Sequence, residues 1–403
     1  MSHPASPGAC GLRWTTAGES HGPELVALLE GLPAGMPLDL ERLQEGMRRR
    51  WLAYGRGPRA KFETDAVRPI GGLKRGVTLG TPLALAVSNG DTRIDELPNL
   101  GAPRPGHADL PGALRHRSRD LRAVLERASA RETAARTALG GVAEQLLAAF
   151  GVRVAAHVTS IAGDNAAPAP ADPAELLALR DASAFFSVDP AADERWRARI
   201  EAAREEGDSL GGVFEVRVWG LPPGLGGYEQ VSDRLDARLM AALASVPAIR
   251  GVEIGLGFAA AATPGSGYHD PVVLDPSGWA GLGRPSNRAG GVEGGLSNGQ
   301  EVVLRAAMKP IPTLRKGLAS VALAGMSEDR ATYERSDVCS VTAASVAGQA
   351  VVALEVASAL RGRLGGATLD EMGERFLRLG RDEDPSTWPD DLAGRGWRLP
   401  GPA

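Results

Sequence analysis

The stretch SARETAARTALGGVAEQLLAAF, residues 129–150, sets the reading of the fold. It is rich in Ala and Leu, and Ser129 stands three residues before Glu132 at capping-box spacing, just ahead of the apolar run. The spacing predicts a helix from Ser129 to about Phe150. Working outward, Asp39 is a good N-cap for a helix that carries Leu40, Leu43 and Met47 on one stripe. A third helix is predicted over Thr342 to Leu364, and strands over Val77–Val87, Val152–Ile161, Gly212–Trp219 and Val302–Met308. Strands and helices mix without a regular βαβ rhythm, which predicts an α+β architecture. Pro98 to Pro111, Gly163 to Pro173 and Thr263 to Asn287 are dense in Gly, Pro or Asp and read as loops. From Gly380 onward the chain is polar, with prolines and tryptophans, and reads as an extension outside the core.

Composition narrows the function classes. A formal charge of −4 on 403 residues argues against a general nucleic-acid binder, whose domains carry a basic excess. Two cysteines, Cys10 and Cys339, are too few for a disulfide framework, so a reducing cytoplasmic setting is the expectation. Residues 1–11 lack the apolar core of a signal peptide, and no run of about 18 apolar residues is evident, so no membrane span is expected. Gly255-Leu256-Gly257-Phe258-Ala259-Ala260 imitates a dinucleotide fingerprint, but Thr263-Pro264-Gly265 would cut short the helix it should open.

Two of the six histidines stand beside glycine in polar surroundings: His21 in Gly18-Glu19-Ser20-His21-Gly22, and His107 in Arg104-Pro105-Gly106-His107-Ala108-Asp109. Glycine allows a tight turn that leaves the imidazole approachable, and histidine is the side chain best suited to move protons near neutral pH. Neither has ligand spacing to other metal-binding side chains, so no metal is expected. Arginines accompany these segments. At about 100° per residue, Arg50 falls near the stripe of Leu40, Leu43 and Met47 while Arg49 falls on the opposite, solvated face. Arg56 follows between glycines in Tyr54-Gly55-Arg56-Gly57. Inward arginines suit a polyanionic small ligand, although Arg48–Arg50 also complement a helix C-terminus. Arg127 and Arg131 flank the helix start at Ser129, where free N–H groups suit a phosphate. Ser286 to Gly295 is dense enough in glycine for close backbone approach, and Lys309-Pro310-Ile311-Pro312-Thr313 is fixed in an extended shape.

Taken in order, Thr15–Gly22, Arg48–Arg50 with Tyr54–Gly57, Arg104–Asp109, Glu126–Thr133, Gly251–Gly255, Ala289–Gly299, Lys309–Thr313 and Arg335–Cys339 resemble the chorismate synthase family over residues 11–365. The resemblance implies a β-α-β sandwich of antiparallel sheets around helices, within one catalytic domain of residues 12–366 between an N-terminal extension, 1–11, and a C-terminal one, 367–403. It implies elimination of phosphate from 5-enolpyruvylshikimate 3-phosphate to give chorismate with reduced FMN, in a cytoplasmic homotetramer with neither nucleic acid nor membrane as partner. By the same resemblance, His21 is the acid near the leaving phosphate with Ser20 beside it, His107 protonates or polarises the flavin, and Asp337 assists proton movement. Arg127, Ala128, Ser129, Gly294, Lys309, Pro310, Ile311, Pro312, Thr313 and Arg335 would hold FMN. Arg50, Arg56 and Arg131 fall at an anion site for substrate or NADP. Ala128 stands where many relatives carry serine.

Overall fold

Two apolar helices cross at the centre of the molecule, and the rest of the chain is arranged to cover them. The computed structural model describes residues 11–55, 64–334, 336–381 and 383–391. Helix Val341–Leu364 is buried on nearly every side, from Val341 and Thr342 through Leu354 to Leu364. By length and composition it could cross a membrane, which corrects the reading that no such run is present. Here 89% of the apolar window is covered by protein, the expected setting for a helix without a polar face. Its main partner, helix Thr133–Ala148, is nearly as apolar. They come into close contact at Gly140, where an added Cβ would fall inside van der Waals contact of Ala350 Cβ and Cα and 2.8 Å from its carbonyl oxygen.

A sheet lies on each side of this layer. The first has strands Arg13–Ala17, Glu24–Glu30, Leu83–Ser88 and Val67–Gly71 in that spatial order, each pair antiparallel. Leu25, Ala27 and Leu29 alternate inward, opposite Leu83, Leu85 and Val87 on the neighbouring strand. The second has Ile249–Ile254, Val302–Met308, Gly212–Trp219, Arg153–Ile161 and Asp164–Asn165, again antiparallel. Phe214, Val216 and Val218 face the same core as Val302, Leu304 and Ala306. Helices Leu40–Leu52 and Leu235–Ala244 complete the middle layer. The architecture is α+β, a β-α-β sandwich.

Local expectations fare unevenly. Strands Gly212–Trp219 and Val302–Met308 have the bounds expected from the sequence. Val77–Val87 is instead two strands, Val77–Leu79 and Leu83–Ser88, in different sheets. Gly80, at φ +76°, and Pro82 turn the chain between them. Asp39 caps helix Leu40–Leu52, its Oδ1 accepting from the amides of Glu41 and Arg42. Leu43, Met47 and Arg50 are buried on that helix, but Leu40 is exposed. Arg49 is not solvated as its helical angle predicts. It is half-buried beside Arg180, Ser345 and Gln349, because the helix is covered on two flanks rather than one. The segment Thr263 to Asn287 is not a bare loop: it holds a short helix, Gly265–Tyr268, and a hairpin of Val273–Trp279 with Leu282–Gly283. Helix Leu369–Leu377 buries Met372 and sets Phe376 5.2 Å from Phe150.

The Gly140 crossing has a measurable consequence. Alanine is favoured over glycine in a helix by about 1 kcal/mol, whereas overpacking a core costs about 1–3 kcal/mol. The atoms in the way at Gly140 include backbone, so Gly140→Ala should lose about 1–2 kcal/mol on balance. Gly46, in helix Leu40–Leu52, has nothing within 4 Å of an added Cβ, so Gly46→Ala should gain about 0.5–1 kcal/mol. Urea unfolding midpoints moving in opposite directions would bear this out. Equal shifts would refute it.

Candidate active site

The loop carrying His21 joins strands Arg13–Ala17 and Glu24–Glu30. Gly18 makes the connection at φ +103°, where any Cβ would sit 2.5 Å from the Glu24 carbonyl oxygen. Asn89, after the strand Leu83–Ser88, donates its amide to the carbonyls of Glu19 at 3.0 Å and Gly22 at 2.7 Å. On the other side lies Glu126, on helix Leu121–Ala128. Its carbonyl accepts from Ser20 N at 3.0 Å, and its carboxylate accepts from His21 N at 2.8 Å and meets His21 Nδ1 at 2.9 Å. Burial pushes the Glu126 carboxyl up, but hydrogen bonds and charge from His21, with Arg122 behind it, outweigh that and hold it below the usual range.

His107 is built the same way on a different loop. Arg104 grips Asp109 through Nε at 2.8 Å, Nη2 at 3.0 Å and its backbone N–H at 3.0 Å, and His107 Nδ1 lies 2.5 Å from Asp109 Oδ1. Two acceptors facing each other at that distance would repel, so Nδ1 carries the proton and donates to Asp109. Arg104 Nη2, 3.0 Å from the same nitrogen, is then a neighbouring cation rather than its donor. Burial alone would raise the Asp109 carboxyl, but the His107 and Arg104 hydrogen bonds hold it far below its ordinary value. The segment Lys309–Thr313 closes this loop from outside. Lys309 Nζ donates to the Gly106 carbonyl at 3.0 Å, Arg104 Nη1 donates to Thr313 Oγ1 at 3.2 Å, and Pro312 lies against Gly106.

Ser129 caps the helix start as its position predicts, its Oγ accepting from Arg131 N at 3.3 Å. It also donates to Ser20 Oγ at 3.3 Å, which joins this helix start to the His21 loop. The capping box is not reciprocal. A 3-10 turn, Ala130–Glu132, precedes helix Thr133–Ala148, and the Glu132 carboxylate accepts from Thr16 Oγ1 at 2.6 Å and pairs with Arg136. Arg127 donates to the carbonyls of Gly18 at 3.0 Å and Thr16 at 2.9 Å, and Ala128 next to it is half-buried.

Arg50 points inward as its helical angle requires, and Arg131 meets it there. Each guanidinium takes one oxygen of Asp65, which is fully buried in a left-handed conformation at φ +46°. Arg50 Nη2 also donates to Thr133 Oγ1 at 3.0 Å, and Arg131 Nε donates to Asn89 Oδ1 at 2.7 Å. The Trp51 ring stacks on both arginines, 5.2 and 5.6 Å away. A single chain of hydrogen bonds therefore runs from Arg50 through Asp65, Arg131 and Asn89 to the turn that holds His21.

Two groups of expected residues are thus assembled. Ser20, His21, Arg127 and Ser129 form one, with Arg50 and Arg131 behind it. His107, Lys309, Pro312 and Thr313 form the other, and Ser336 Oγ brings the neighbouring segment in by donating to the Thr313 carbonyl at 3.4 Å. Arg122 spans between them, donating to Glu334 at 2.7 Å and lying 3.7 Å from Glu126. Pro310 and Ile311 lie within the closing segment, where the Ile311 carbonyl accepts from Ser209 Oγ. Asp337 accepts from Ser340 Oγ at 2.5 Å, just before helix Val341–Leu364. Gly294 stands elsewhere, at the exposed turn between Val292–Glu293 and Leu296–Ser297, beside the start of helix Leu235–Ala244. Arg56 and Arg335 lie outside the described residues. Sequence reasoning gave no role to Glu126, Asp109, Arg104, Arg122, Asn89 or Asp65. Asp109 is two residues from His107 and was within reach of inspection, whereas Glu126 and Asp65 become partners only through the fold.

A cavity of about 590 Å³ lies under the C-terminal helix, lined by Phe150, Trp279, Phe376 and Arg381 among others, and shares no residue with either histidine loop. Comparison with known proteins points to one family. A family model described as chorismate synthase matches residues 12–360. The chain is 46% identical over 382 residues to a chorismate synthase of Geobacter sulfurreducens, covering 91% of this chain and 97% of that protein. It is 48% identical over 380 residues to one of Desulforudis audaxviator, with the same coverage. A crystal structure of a chorismate synthase matches with a TM-score of 0.76 at 39% identity, over 91% of this chain and 97% of that one.

The Asp65 cluster predicts a large stability effect. Removing one partner of a buried ionic cluster leaves uncompensated charge and costs about 3–5 kcal/mol. Asp65→Asn should therefore lower the urea midpoint sharply, while Arg68→Ala, at an exposed pair with Glu24, should leave it nearly unchanged. Similar small shifts for both would remove Asp65 from this role.

Proposed function

The chain belongs to the chorismate synthase family, and from that premise we propose that it eliminates phosphate from 5-enolpyruvylshikimate 3-phosphate to give chorismate, a carbon–oxygen lyase reaction requiring reduced FMN. The observation that carries the reading is the pair of histidines, each with Nδ1 against a buried carboxylate and each ringed by cationic or N–H-rich segments. The bond from carbon to the phosphate oxygen breaks and a proton is lost from the same ring, so the products are redox-neutral relative to the substrate. Reduced FMN, when bound, would supply electron density to the departing system.

The residues present fit such a cofactor. Ser129, at the positive end of its helix start, with Arg127 and Ala128 alongside, suits a phosphate. Lys309, Pro310, Ile311, Pro312 and Thr313 form an extended wall against Gly106 and Arg104, where a planar ring could lie beside His107. Gly294 and Arg335 belong to the same proposed set. His107 then polarises the flavin, His21 protonates the leaving phosphate with the Ser20 hydroxyl beside it, and Asp337 helps move a proton near the ring. Arg50, Arg56 and Arg131 supply positive charge toward the substrate or an NADP phosphate. Arg50 and Arg131 already share Asp65, so their contribution is to the field and to the shape of the wall. A cytoplasmic homotetramer completes the proposal.

The test is an anaerobic assay of the purified protein with the enolpyruvyl ester and photoreduced FMN, oxidised FMN or no flavin. Chorismate and phosphate should appear in equal amounts only with reduced FMN, without net flavin oxidation. His21→Ala and His107→Ala should each lower turnover about 10²–10⁴-fold. NAD(P)H consumed in proportion to product would indicate a flavin oxidoreductase instead. Wild-type turnover in a folded His21→Ala protein would overturn the assigned acid.

A further inference from the structure

Glu126 and Asp109 come from different helices and face different loops, yet each makes the same set of contacts. Each is buried, with side chains 1% and 0% exposed. Each receives a backbone N–H, from His21 and from Arg104, at 2.8 and 3.0 Å. Each has an arginine behind it, Arg122 or Arg104, and each presents an oxygen to an imidazole Nδ1. Hydrogen bonds and neighbouring charge hold both carboxylates in their ionised form against the cost of burial.

A neutral imidazole can carry its proton on either nitrogen, and the partner of one nitrogen decides which. An ionised carboxylate accepts a charge-assisted hydrogen bond and offers no proton in return, so a ring facing it keeps Nδ1–H whether the ring is neutral or charged. The Glu126 grip is double: Oε1 and Oε2 lie 2.9 and 3.1 Å from Nδ1, while Oε2 also holds the His21 amide. Ring and backbone of His21 are therefore fixed to one group. We propose that Glu126 and Asp109 are positioning residues that keep the proton on Nδ1 of His21 and His107, so that Nε2 of each ring is the nitrogen that gives up or takes a proton. Neither carboxylate touches the reacting atoms in this scheme. Arg104, through Thr313, ties the His107 ring to the segment that closes its loop, and Arg122, behind Glu126, pairs with Glu334. The catalytic consequence rests on the function proposed above, whereas the tautomers themselves do not.

The experiment uses the full chain labelled with 15N-histidine. Two-bond proton–nitrogen spectra show which ring nitrogen bears hydrogen, with His21 and His107 assigned from His21→Asn and His107→Asn. Both rings should show Nδ1–H in the wild type. Glu126→Gln can donate as well as accept, so the His21 ring should redistribute between tautomers and kcat should fall about 10–100-fold with KM nearly unchanged. Glu126→Asp keeps the charge and should recover both the tautomer and a larger share of the rate. A neutral wild-type ring with hydrogen on Nε2 and none on Nδ1, at either histidine, would overturn the proposal, as would a rate loss in Glu126→Gln with the tautomer unchanged. Nδ1–H on both rings in a protein that makes no chorismate would uphold the positioning and refute only the proposed reaction.

Discussion

Close contact between two apolar helices is the constraint on which the rest of the structure depends. Thr133–Ala148 and Val341–Leu364 can approach at Gly140 because no side chain stands between their backbones there, and the layer they form is covered by a sheet on either side. Both begin near the end of helix Leu40–Leu52. Arg50 donates to Thr133, and Val338, just ahead of the second helix, donates its amide to the Gly55 carbonyl. The positive ends of two helix dipoles are thereby gathered in one region, along with Ser129 and Asp337. That gathering follows from how the core packs, before any polar side chain is considered.

Much of the fold could be read from sequence where burial has a simple period. Val302–Met308 alternates cleanly because it lies within a sheet with one face on the core, and Gly212–Trp219 does so except at Glu215, which is buried as well. Leu40–Leu52 announced its start through Asp39 and its inner face through Leu43 and Met47. Reading failed where one apolar run served two purposes, as in Val77–Val87, which a turn at Gly80 divides between sheets. It failed also at Arg49, since a single stripe cannot describe a helix wedged among several neighbours. The apolarity of Val341–Leu364 was underestimated because its small residues do not look hydrophobic one at a time.

The candidate site divides along similar lines. The histidines and their glycines stood out because chemistry and backbone demand coincide within a few residues, as at Gly18 and His21. Their carboxylates did not. Glu126 is 105 positions from His21, and nothing in its own helix marks it as other than a surface acid, yet it is buried and its carboxylate faces an imidazole. The inward turn of Arg50 was legible from its helical angle, but its partner was not, because Asp65 reaches it only through a left-handed turn outside any regular element.

Asp65 has a consequence for the empty protein. Two guanidinium groups brought together in an apolar interior would push the helices and the His21 turn apart unless a negative charge lay between them. Because the chain carries that charge itself, the helices and the His21 turn are held together by the protein's own residues. The cluster is thereby complete in charge within a single chain, and the geometry of the His21 turn is inherited from the core rather than imposed on it.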